Sequence, residues 1–272
     1  MNRIRGSSRT LVVIGDPIAH SMSPAMYNAA FAALGLDAVY VPMRTDHSAL
    51  PHVLRAFEAV GIAGNVTIPH KVAVARLLIR VTSLARDLEA VNTFWPEGGR
   101  LVGDNTDVRG LIDALQPLDA EGPWLVSGTG GAARAVAAAA REVGMPLLVR
   151  SRSQERAADF AAWARQLGAD CRADDDSRVA TAINATPAGL KPSDAIPFAH
   201  RSLDGCETAF DLVYAPGETT WVRRCRQLGM RASDGRSMLV AQGAHAFQRF
   251  FPQTKPPIEV MAAAVNRELG RC

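Results

Sequence analysis

Residues 64–71 read Gly-Asn-Val-Thr-Ile-Pro-His-Lys, a short β-branched run that ends in a proline and a lysine. The side chains of Val66, Thr67 and Ile68 favour a strand, which we expect over 64–68. Pro69 cannot continue a central ladder, so Lys71 is predicted at a strand-to-helix junction. Open α/β sheets bind ligands at such junctions. An isolated lysine there is more often an ordinary surface side chain, so the rest of the chain decides its role.

The composition is that of an ordinary globular protein. Of 272 residues, 48% are hydrophobic and 21% charged, and Lys plus Arg exceed Asp plus Glu by 30 − 27 = 3. This balance predicts no nucleic-acid partner, and no segment is long and uncharged enough to predict a membrane span. The four cysteines form no C-x-x-C pair, which argues against a disulfide framework or a metal site. We therefore expect a cytoplasmic protein without a metal.

Strand-like and helix-like segments alternate along the first half of the chain. Apolar runs over 11–15 and 39–43 are typical of buried strands, and an apolar stripe over 48–60 predicts a helix that ends at Gly61. Such alternation predicts the α/β class, with mostly parallel sheets and right-handed crossovers.

A helix start follows the first of these strands. Ser23 suits the N-cap position and Pro24 the first helical position, and the helix is expected to end at Gly35. With Ser21 beside it, this helix start is a site for a carboxylate or a phosphate, because the unpaired N–H groups and the helix dipole both favour negative charge. Simple capping is the alternative, and single-residue statistics favour it.

An expected hairpin over 91–103 brings further polar groups to the same region. Asn92 lies within its apolar first arm, and Asn105 and Asp107 follow its second arm. An amide and a carboxylate then face the same cleft as Lys71. Alternatively, Asn105 and Asp107 form a turn or cap the helix that follows, which is the more frequent use of such residues.

A glycine-rich turn opens the second half of the chain. The segment 116–123 has the composition of a domain boundary, and 124–127 begins a new strand. Residues 128–133 then match G-x-G-x-x-G/A, directly before an alanine-rich helix over 133–143. The glycines allow close approach of a pyrophosphate to the helix N-terminus. A glycine-rich turn without a ligand is the alternative.

The residues that follow the next expected strand, over 147–149, indicate which of two nicotinamide cofactors the chain favours. An NAD-binding fold carries an acidic residue about twenty positions after the glycines, but none is present there. Arg152 and Arg156, with the hydroxyl of Ser153, suit a 2′-phosphate instead, because guanidinium groups bind phosphate bidentately. The sequence therefore favours NADP over NAD, with a solvated basic surface as the weaker interpretation.

Three later segments complete the pattern. Two segments, 181–189 and 209–216, are each expected to be a strand that runs into a polar, proline-containing loop at the ligand edge of the sheet. A helix is expected over 237–250, and a last helix over 258–269 is expected to return to the first domain.

Eight stretches, in this order, resemble the shikimate dehydrogenase family across nearly the whole chain: HSMSP, GNVTIPHK, AVNT, GDNTD, GTGGAARA, INATPAG, DLVYAP and DGRSMLVAQ. The resemblance implies two α/β domains around a cleft. A substrate-binding domain with a mostly parallel sheet is expected over 1–106, completed by C-terminal helices over 238–272. A Rossmann-like NADP domain is expected over 107–237. The implied reaction is reversible reduction of 3-dehydroshikimate to shikimate in aromatic amino-acid biosynthesis, by a monomer or homodimer.

The resemblance also assigns roles to residues. Lys71 and Asp107 match the catalytic acid–base pair, although which of the two moves the proton stays open. The implied substrate contacts are Ser21 and Ser23 for the carboxylate, with Thr67, Asn92, Tyr214 and Gln242 around the hydroxyls. The implied cofactor contacts are Gly128, Gly130, Gly131, Ala132, Ser151, Arg152, Ser153, Arg156 and Met238.

The chain departs from the family pattern at four positions. Tyr27 stands where His is common, Glu89 and Ser237 where Gly is frequent, and Ser151 where Asn is usual. None removes a proposed catalytic group, but Ser151 and Ser237 affect the expected strictness for NADP. Two alternatives remain, a paralogue acting on quinate or an amino analogue of shikimate, and a non-catalytic relative that binds a metabolite. Retention of Lys71 and Asp107 argues against the second.

Overall fold

Two six-stranded sheets with flanking helices form the part of the chain that the computed structural model describes, residues 4–174, 176–189, 194, 196–198 and 203–270. The chain divides into two compact units. The first takes in the chain up to Thr106 and the segment Gln242–Glu268, and the second comprises Asp107–Ala241 together with the described residues that follow Glu268. Both are α/β, which confirms the predicted class. Residues 271 and 272 of the expected C-terminal segment lie outside the described residues.

The sheet of the first unit combines parallel and antiparallel strands. Its strands are β1 (Arg9–Gly15), β2 (Ala38–Arg44), β3 (Ala63–Val66), β4 (Arg80–Val81), β5 (Thr93–Glu97) and β6 (Arg100–Asp104), in the order β2-β1-β3-β5-β6-β4. β1 is parallel to β2 and β3, whereas β5 is antiparallel to β3 and β6, as the predicted hairpin requires. The carboxyl ends of β1, β3 and β6 and the amino end of β5 therefore meet at one edge, called the substrate edge below.

Helices cover this sheet. They are α1 (Ser23–Leu34), α2 (Leu50–Val60), α3 (Lys71–Leu77), α4 (Ser83–Asp87) and α10 (Ile258–Glu268), together with the second half of α9 (Arg236–Phe250). α1 and α2 end at Gly35 and Gly61 in the left-handed conformation, as predicted. α10 packs on α1 and belongs to the first unit.

Several predicted boundaries in this region are wrong, including the start of α2, which is Leu50 rather than Ser48. β3 ends at Val66 rather than Ile68, because residues 67–70 form a turn in which the N–H of His70 donates to the carbonyl of Thr67 (3.0 Å). The N-cap of α1 is Met22 rather than Ser23, since Ser23 is already helical. α9 begins at Arg236, one residue before its predicted start. Lys71 nevertheless begins α3, at the junction that the sequence predicts.

Gly64 shows how tightly β3 packs against β1. A Cβ atom at this position would lie 2.2 Å from the carbonyl oxygen of Val12, so β3 would have to shift away from β1. We expect Gly64→Ala to lower the free energy of unfolding by about 1–3 kcal/mol, measured by urea denaturation. The control is Gly6→Ala, where a Cβ meets nothing within 4 Å. Equal stabilities of the two variants would contradict the close approach.

The sheet of the second unit is entirely parallel. Its strands are β7 (Trp124–Ser127), β8 (Leu147–Arg150), β9 (Cys171–Ala173), β10 (Thr181–Asn184), β11 (Thr208–Asp211) and β12 (Arg231–Asp234), in the order β12-β11-β10-β7-β8-β9. The helices are α5 (Asp107–Leu115), α6 (Gly131–Val143), α7 (Gln154–Gln166) and α8 (Thr220–Gln227), with the first turns of α9. The strand order reverses between β7 and β10, which is the doubly wound pattern of dinucleotide-binding folds.

The segment 116–123 lies inside the second unit, where it begins with a short 3-10 turn (Gln116–Leu118) before β7. The boundary predicted there from composition is therefore wrong. Turn-forming residues end α5 at this point, but α5 already packs against α6 of the same unit. Within the described residues, no helix is long and apolar enough to cross a membrane.

Candidate active site

Lys71 and Thr67 lie at the substrate edge of the first sheet. Lys71 is half-buried as the first residue of α3, and its carbonyl accepts a hydrogen bond from the N–H of Val91 (2.9 Å). The N–H of Thr67 donates to the carbonyl of Ile14 (2.9 Å) at the end of β1. These bonds hold the turn that carries Lys71 between the end of β1 and the start of the hairpin.

Asn92 has only one possible amide orientation. Its Oδ1 accepts from the backbone N–H of Thr106 (2.8 Å), a group that can only donate. Its Nδ2 therefore donates, to Thr106 Oγ1 (3.0 Å) and to Gln242 Oε1 (3.2 Å). Because the Gln242 carbonyl is turned toward Asn92, Gln242 presents its Nε2 donors on the opposite side. Two predicted substrate residues, 150 positions apart, are thereby brought together.

A buried network of hydrogen bonds holds the backbone at Asn92 in place. Asn65 Nδ2 donates to the carbonyl of Asn92 (3.2 Å) and to Thr93 Oγ1 (2.9 Å), and Asn65 Oδ1 accepts from the Tyr40 hydroxyl (2.7 Å). The Tyr40 ring stacks on Tyr27, with centroids 4.4 Å apart. Sequence reasoning missed this network, although Asn65 shows the same signal as Asn92, a buried amide in an apolar strand.

Tyr27, one of the departures from the family pattern, belongs to the core of the first unit. It is fully buried, and its hydroxyl donates to the carbonyl of Gly243 (3.0 Å), the residue after Gln242. Burial raises the pKa of Tyr27 and that of Tyr40, so both hydroxyls stay protonated and can donate. The Tyr27 hydroxyl therefore ties α1 to the turn of α9 that carries Gln242.

Ser21 and Ser23 lie at the amino end of α1, after β1. The Oγ of Ser21 accepts from the N–H of Ser23 (3.3 Å), and Ser23 is buried, with 6% of its surface exposed. Ser21, rather than Ser23, thus serves the helix start. A twelve-residue helix N-terminus flanked by two hydroxyls fits both the anion-binding and the capping interpretation.

The segment after β6 leads to Asp107. Asp104 accepts from Thr82 Oγ1 (2.6 Å) and from the guanidinium of Arg249 (2.8 Å). Asn105 Nδ2 donates to the carbonyl of Ala90 (3.0 Å), 15 positions earlier in the chain, so this side chain joins two segments of the first unit. Asp107 is the first residue of α5 and is buried, with 6% exposure.

The glycine-rich turn after β7 fits a dinucleotide. Gly128 has a φ of +112°, and a Cβ there would lie 3.0 Å from the carbonyl oxygen of Ala185, so only glycine is unstrained. Gly130 caps α6 and Gly131 begins it, and a Cβ at either position would meet nothing within 4 Å. With half-buried Ala132 in the first turn, the helix start is open to a phosphate.

Three arginines at the end of β8 and just after it differ in their ion-pair partners. Arg150 pairs with Asp174, with Nε 2.5 Å from Oδ2, and is therefore committed to the fold. Arg152 and Arg156 are exposed, and neither pairs with a carboxylate among the residues that the structure describes. Ser153 caps α7 by accepting from the N–H of Arg156 (3.3 Å), and Ser151 Oγ accepts from the N–H of Ser153 (3.4 Å). Two exposed guanidinium groups at a helix N-terminus fit a 2′-phosphate.

Tyr214 and Met238 belong to the second unit. Tyr214 is half-buried in the loop after β11, and Met238 is buried in the first turn of α9. Sequence reasoning missed Asp211, the last residue of β11, whose fully buried carboxylate accepts from Asn184 Nδ2 (2.9 Å), Val213 N (3.1 Å) and Thr219 Oγ1 (2.8 Å). Its signal was a carboxylate within the otherwise apolar start of the segment 209–216.

Burial raises the pKa of Asp211 to about 6, against 3.8 for an exposed carboxyl, although its three hydrogen bonds act in the opposite direction. Between about pH 4 and 6 the folded protein binds a proton that the unfolded chain does not. Stability should therefore rise as the pH falls through this window, by at most about 3 kcal/mol relative to Asp211→Asn. Urea denaturation of both proteins from about pH 4 to 7 measures this. A difference in stability that is constant with pH would contradict it.

Two family models match segments of the chain. A model for the shikimate dehydrogenase substrate binding domain matches residues 13–94, and one for the shikimate 5'-dehydrogenase C-terminal domain matches residues 235–265.

Similar proteins extend this match over nearly the full length. A shikimate dehydrogenase (NADP(+)) of Synechococcus sp. strain JA-3-3Ab is 38% identical, with 99% of this chain and 97% of that protein aligned. One of Symbiobacterium thermophilum is 39% identical, over 96% and 94% of the two chains. The crystal structure of shikimate 5-dehydrogenase from Thermus thermophilus in complex with NADP(H) and shikimate superposes with a TM-score of 0.87, at 36% identity, over 95% and 99%.

Proposed function

The chain belongs to the shikimate dehydrogenase family, and from that premise we propose that it catalyses the NADP-dependent, reversible reduction of 3-dehydroshikimate to shikimate in aromatic amino-acid biosynthesis. The observation that carries the proposal is the hydrogen bond between Asn92 Nδ2 and Gln242 Oε1. It joins two amides expected to bind the substrate, at the sheet edge where Lys71 begins its helix.

The first unit, with α10, is the proposed substrate-binding domain. Ser21 and Ser23 hold the substrate carboxylate at the N-terminus of α1, where the helix dipole favours negative charge. Thr67, Asn92, Gln242 and Tyr214 are the proposed contacts of the ring hydroxyls. Since the carbonyl of Gln242 is occupied by Asn92, Gln242 donates from Nε2 to a hydroxyl oxygen.

The second unit is the proposed NADP-binding domain. Gly128, Gly130, Gly131 and Ala132 cradle the pyrophosphate at the start of α6, and Met238 lines the nicotinamide end. The 2′-phosphate is held by Arg152 and Arg156, with Ser151 and Ser153 beside them. When bound, NADPH supplies the hydride that reduces the ketone carbon.

Lys71 supplies the proton that the reduction requires. Its ammonium donates from Nζ to the carbonyl oxygen as that oxygen gains negative charge, which leaves a neutral amine and a hydroxyl product. In the oxidative direction the neutral amine takes the hydroxyl proton back. The Asp107 carboxylate orients the ammonium, and it follows directly on Thr106, whose N–H is bound by Asn92.

A substrate panel tests the proposed reaction against its alternatives. Initial rates of NADP⁺ and NAD⁺ reduction are measured with shikimate, quinate and an amino analogue of shikimate. We expect the highest kcat/KM for shikimate with NADP⁺. A higher value for quinate or the amino analogue would favour a paralogue. Reduction of neither cofactor by a protein that still binds NADP⁺ would favour a non-catalytic relative.

The proposed location is the cytoplasm, since the family's pathway is biosynthetic and Cys171, Cys206 and Cys225 are free thiols. A monomer and a homodimer are the two proposed assemblies, and light scattering of the purified protein distinguishes them.

A further inference from the structure

The buried carboxylate of Asp211 joins two loops at the carboxyl edge of the second sheet. Its Oδ1 accepts from Asn184 Nδ2 at the end of β10 and from the N–H of Val213 in the loop after β11. Its Oδ2 accepts from Thr219 Oγ1 at the far end of that second loop. Asp211 therefore holds both ends of the segment 213–219, in which Tyr214 lies.

Each partner of Asp211 anchors a further stretch of backbone. Asn184 Oδ1 accepts from the N–H of Thr186 (3.0 Å), and Asn184 Nδ2 also donates to the carbonyl of Ala188 (2.9 Å). Thr219 Oγ1 accepts from the N–H of Val222 (3.3 Å) and so caps α8. One side chain thus fixes the loop after β10, the loop after β11 and the start of a helix.

The middle of the Tyr214 loop is held as well. Arg236 Nη2 donates to the carbonyl of Ala215 (2.7 Å) and also to that of Gly217. Arg236 is buried and lies 3.5 Å from Asp234, the residue paired with Asp211 across β11 and β12. The backbone on both sides of Tyr214 is therefore hydrogen-bonded to residues at the end of the sheet. These bonds fix the position of the backbone from which the Tyr214 side chain extends.

We propose that Asp211 is a positioning residue that sets the Tyr214 side chain for substrate binding. This rests on the proposed function, in which Tyr214 contacts a substrate hydroxyl. Asp211 cannot itself act as an acid or base on the substrate, because its side chain is 0% exposed and its oxygens are occupied by three donors. Its contribution to the reaction is the placement of the loop.

The hydrogen bonds of Asp211, rather than its charge, perform this role. The titratable groups that face it are Asp234 on β12, which pairs with Arg236, and Cys225 on α8. In Asp211→Asn, the amide oxygen still accepts from Asn184 and Val213. The amide nitrogen then donates to Thr219 Oγ1, because a hydroxyl can accept as well as donate. A protonated Asp211 makes the same set of bonds. The conservative variant should therefore preserve the position of the loop, whereas Asp211→Ala should not.

Steady-state kinetics with shikimate and NADP⁺ test the proposal in a double-mutant cycle. We expect Asp211→Ala to lower kcat/KM for shikimate by about 10–100-fold and Asp211→Asn by less than about 3-fold. In a Tyr214→Ala background, Asp211→Ala should cost less than about 3-fold more, because its effect acts through Tyr214. The pH profile of kcat/KM for Asp211→Asn should superimpose on that of the wild type.

Two outcomes would overturn the proposal. Losses from Asp211→Ala that are equal with and without Tyr214 would mean that Asp211 acts on general stability. Losses from Asp211→Asn as large as those from Asp211→Ala would mean that the charge is required. Should Asp211→Ala fail to fold, Thr219→Val removes one of the three bonds at nearly constant volume, and the same cycle applies to it.

Cleavage by chymotrypsin after Tyr214 separates failure of this inference from failure of the proposed function. The loop should be cut faster in native Asp211→Ala than in the wild type or Asp211→Asn, whatever the substrate of the protein. Faster cleavage without any shikimate oxidation by the wild type would reject the function while retaining the role of Asp211 in the loop. Equal cleavage of all three proteins would reject the role of Asp211.

Discussion

Replacing Lys71 with Met lowers kcat for shikimate oxidation by about 10²–10⁴, while the KM for shikimate changes by less than about tenfold. The methionine side chain keeps the length and much of the apolar stem of lysine but can neither donate nor accept the transferred proton. The substrate would still be held by the amides of Asn92 and Gln242, whose hydrogen bond does not involve Lys71. The loss therefore falls on the chemical step rather than on binding.

The matched control is Lys255→Met, which removes an exposed lysine between α9 and α10 and should leave kcat unchanged. Added primary amines should restore part of the activity of Lys71→Ala, because a free amine can carry the proton in place of the side chain. The same amines should not restore Asp107→Asn. Turnover of Lys71→Met at the wild-type rate would reject Lys71 as the proton carrier.

Replacing Arg152 with Ala raises the KM for NADPH by about 10–100-fold and leaves the KM for NADH nearly unchanged. NADH lacks the 2′-phosphate, so the lost guanidinium affects only the phosphorylated cofactor. Arg152 is suited to this role because it is exposed beside the N-cap of α7, whereas Arg150 is paired with Asp174.

Arg224→Ala is the control for this measurement, since Arg224 is an exposed arginine on α8 of the same unit. It should change neither KM. Initial rates at varied NADPH and NADH give both constants for each protein. Equal increases for the two cofactors in Arg152→Ala would mean that Arg152 supports the fold or the pyrophosphate rather than the 2′-phosphate.

Local sequence patterns predicted the turns and helix ends that depend on residues close together in the chain. Gly128, Gly130 and Gly131 form the turn before α6, and Gly35 and Gly61 end helices in the left-handed conformation, so their sequence signals are direct. Lys71 was predicted at a helix start because Pro69 cannot continue a strand. The strand before it was predicted two residues too long, since the hydrogen bond that closes the turn at Thr67 outweighs the β preference of Thr67 and Ile68.

The polar networks could not be predicted in the same way, because each depends on residues distant in the sequence. Asn65 binds Tyr40 and Thr93, which reach it only when β3 lies between β1 and β5. The formation of an ion pair by an arginine also depends on residues distant in the sequence. Arg150 and Arg152 are two positions apart in the chain, and only the pairing of β8 with β9 brings Asp174 to Arg150.

The most direct test of the account is the oxidation of NADPH by the purified wild-type protein in the presence of 3-dehydroshikimate. We predict a substrate-dependent loss of NADPH absorbance, with shikimate formed in equal amount and a much slower rate when NADH replaces NADPH. No NADPH oxidation by a folded protein that binds both 3-dehydroshikimate and NADPH would contradict the assignment of this chain as an NADP-dependent shikimate dehydrogenase.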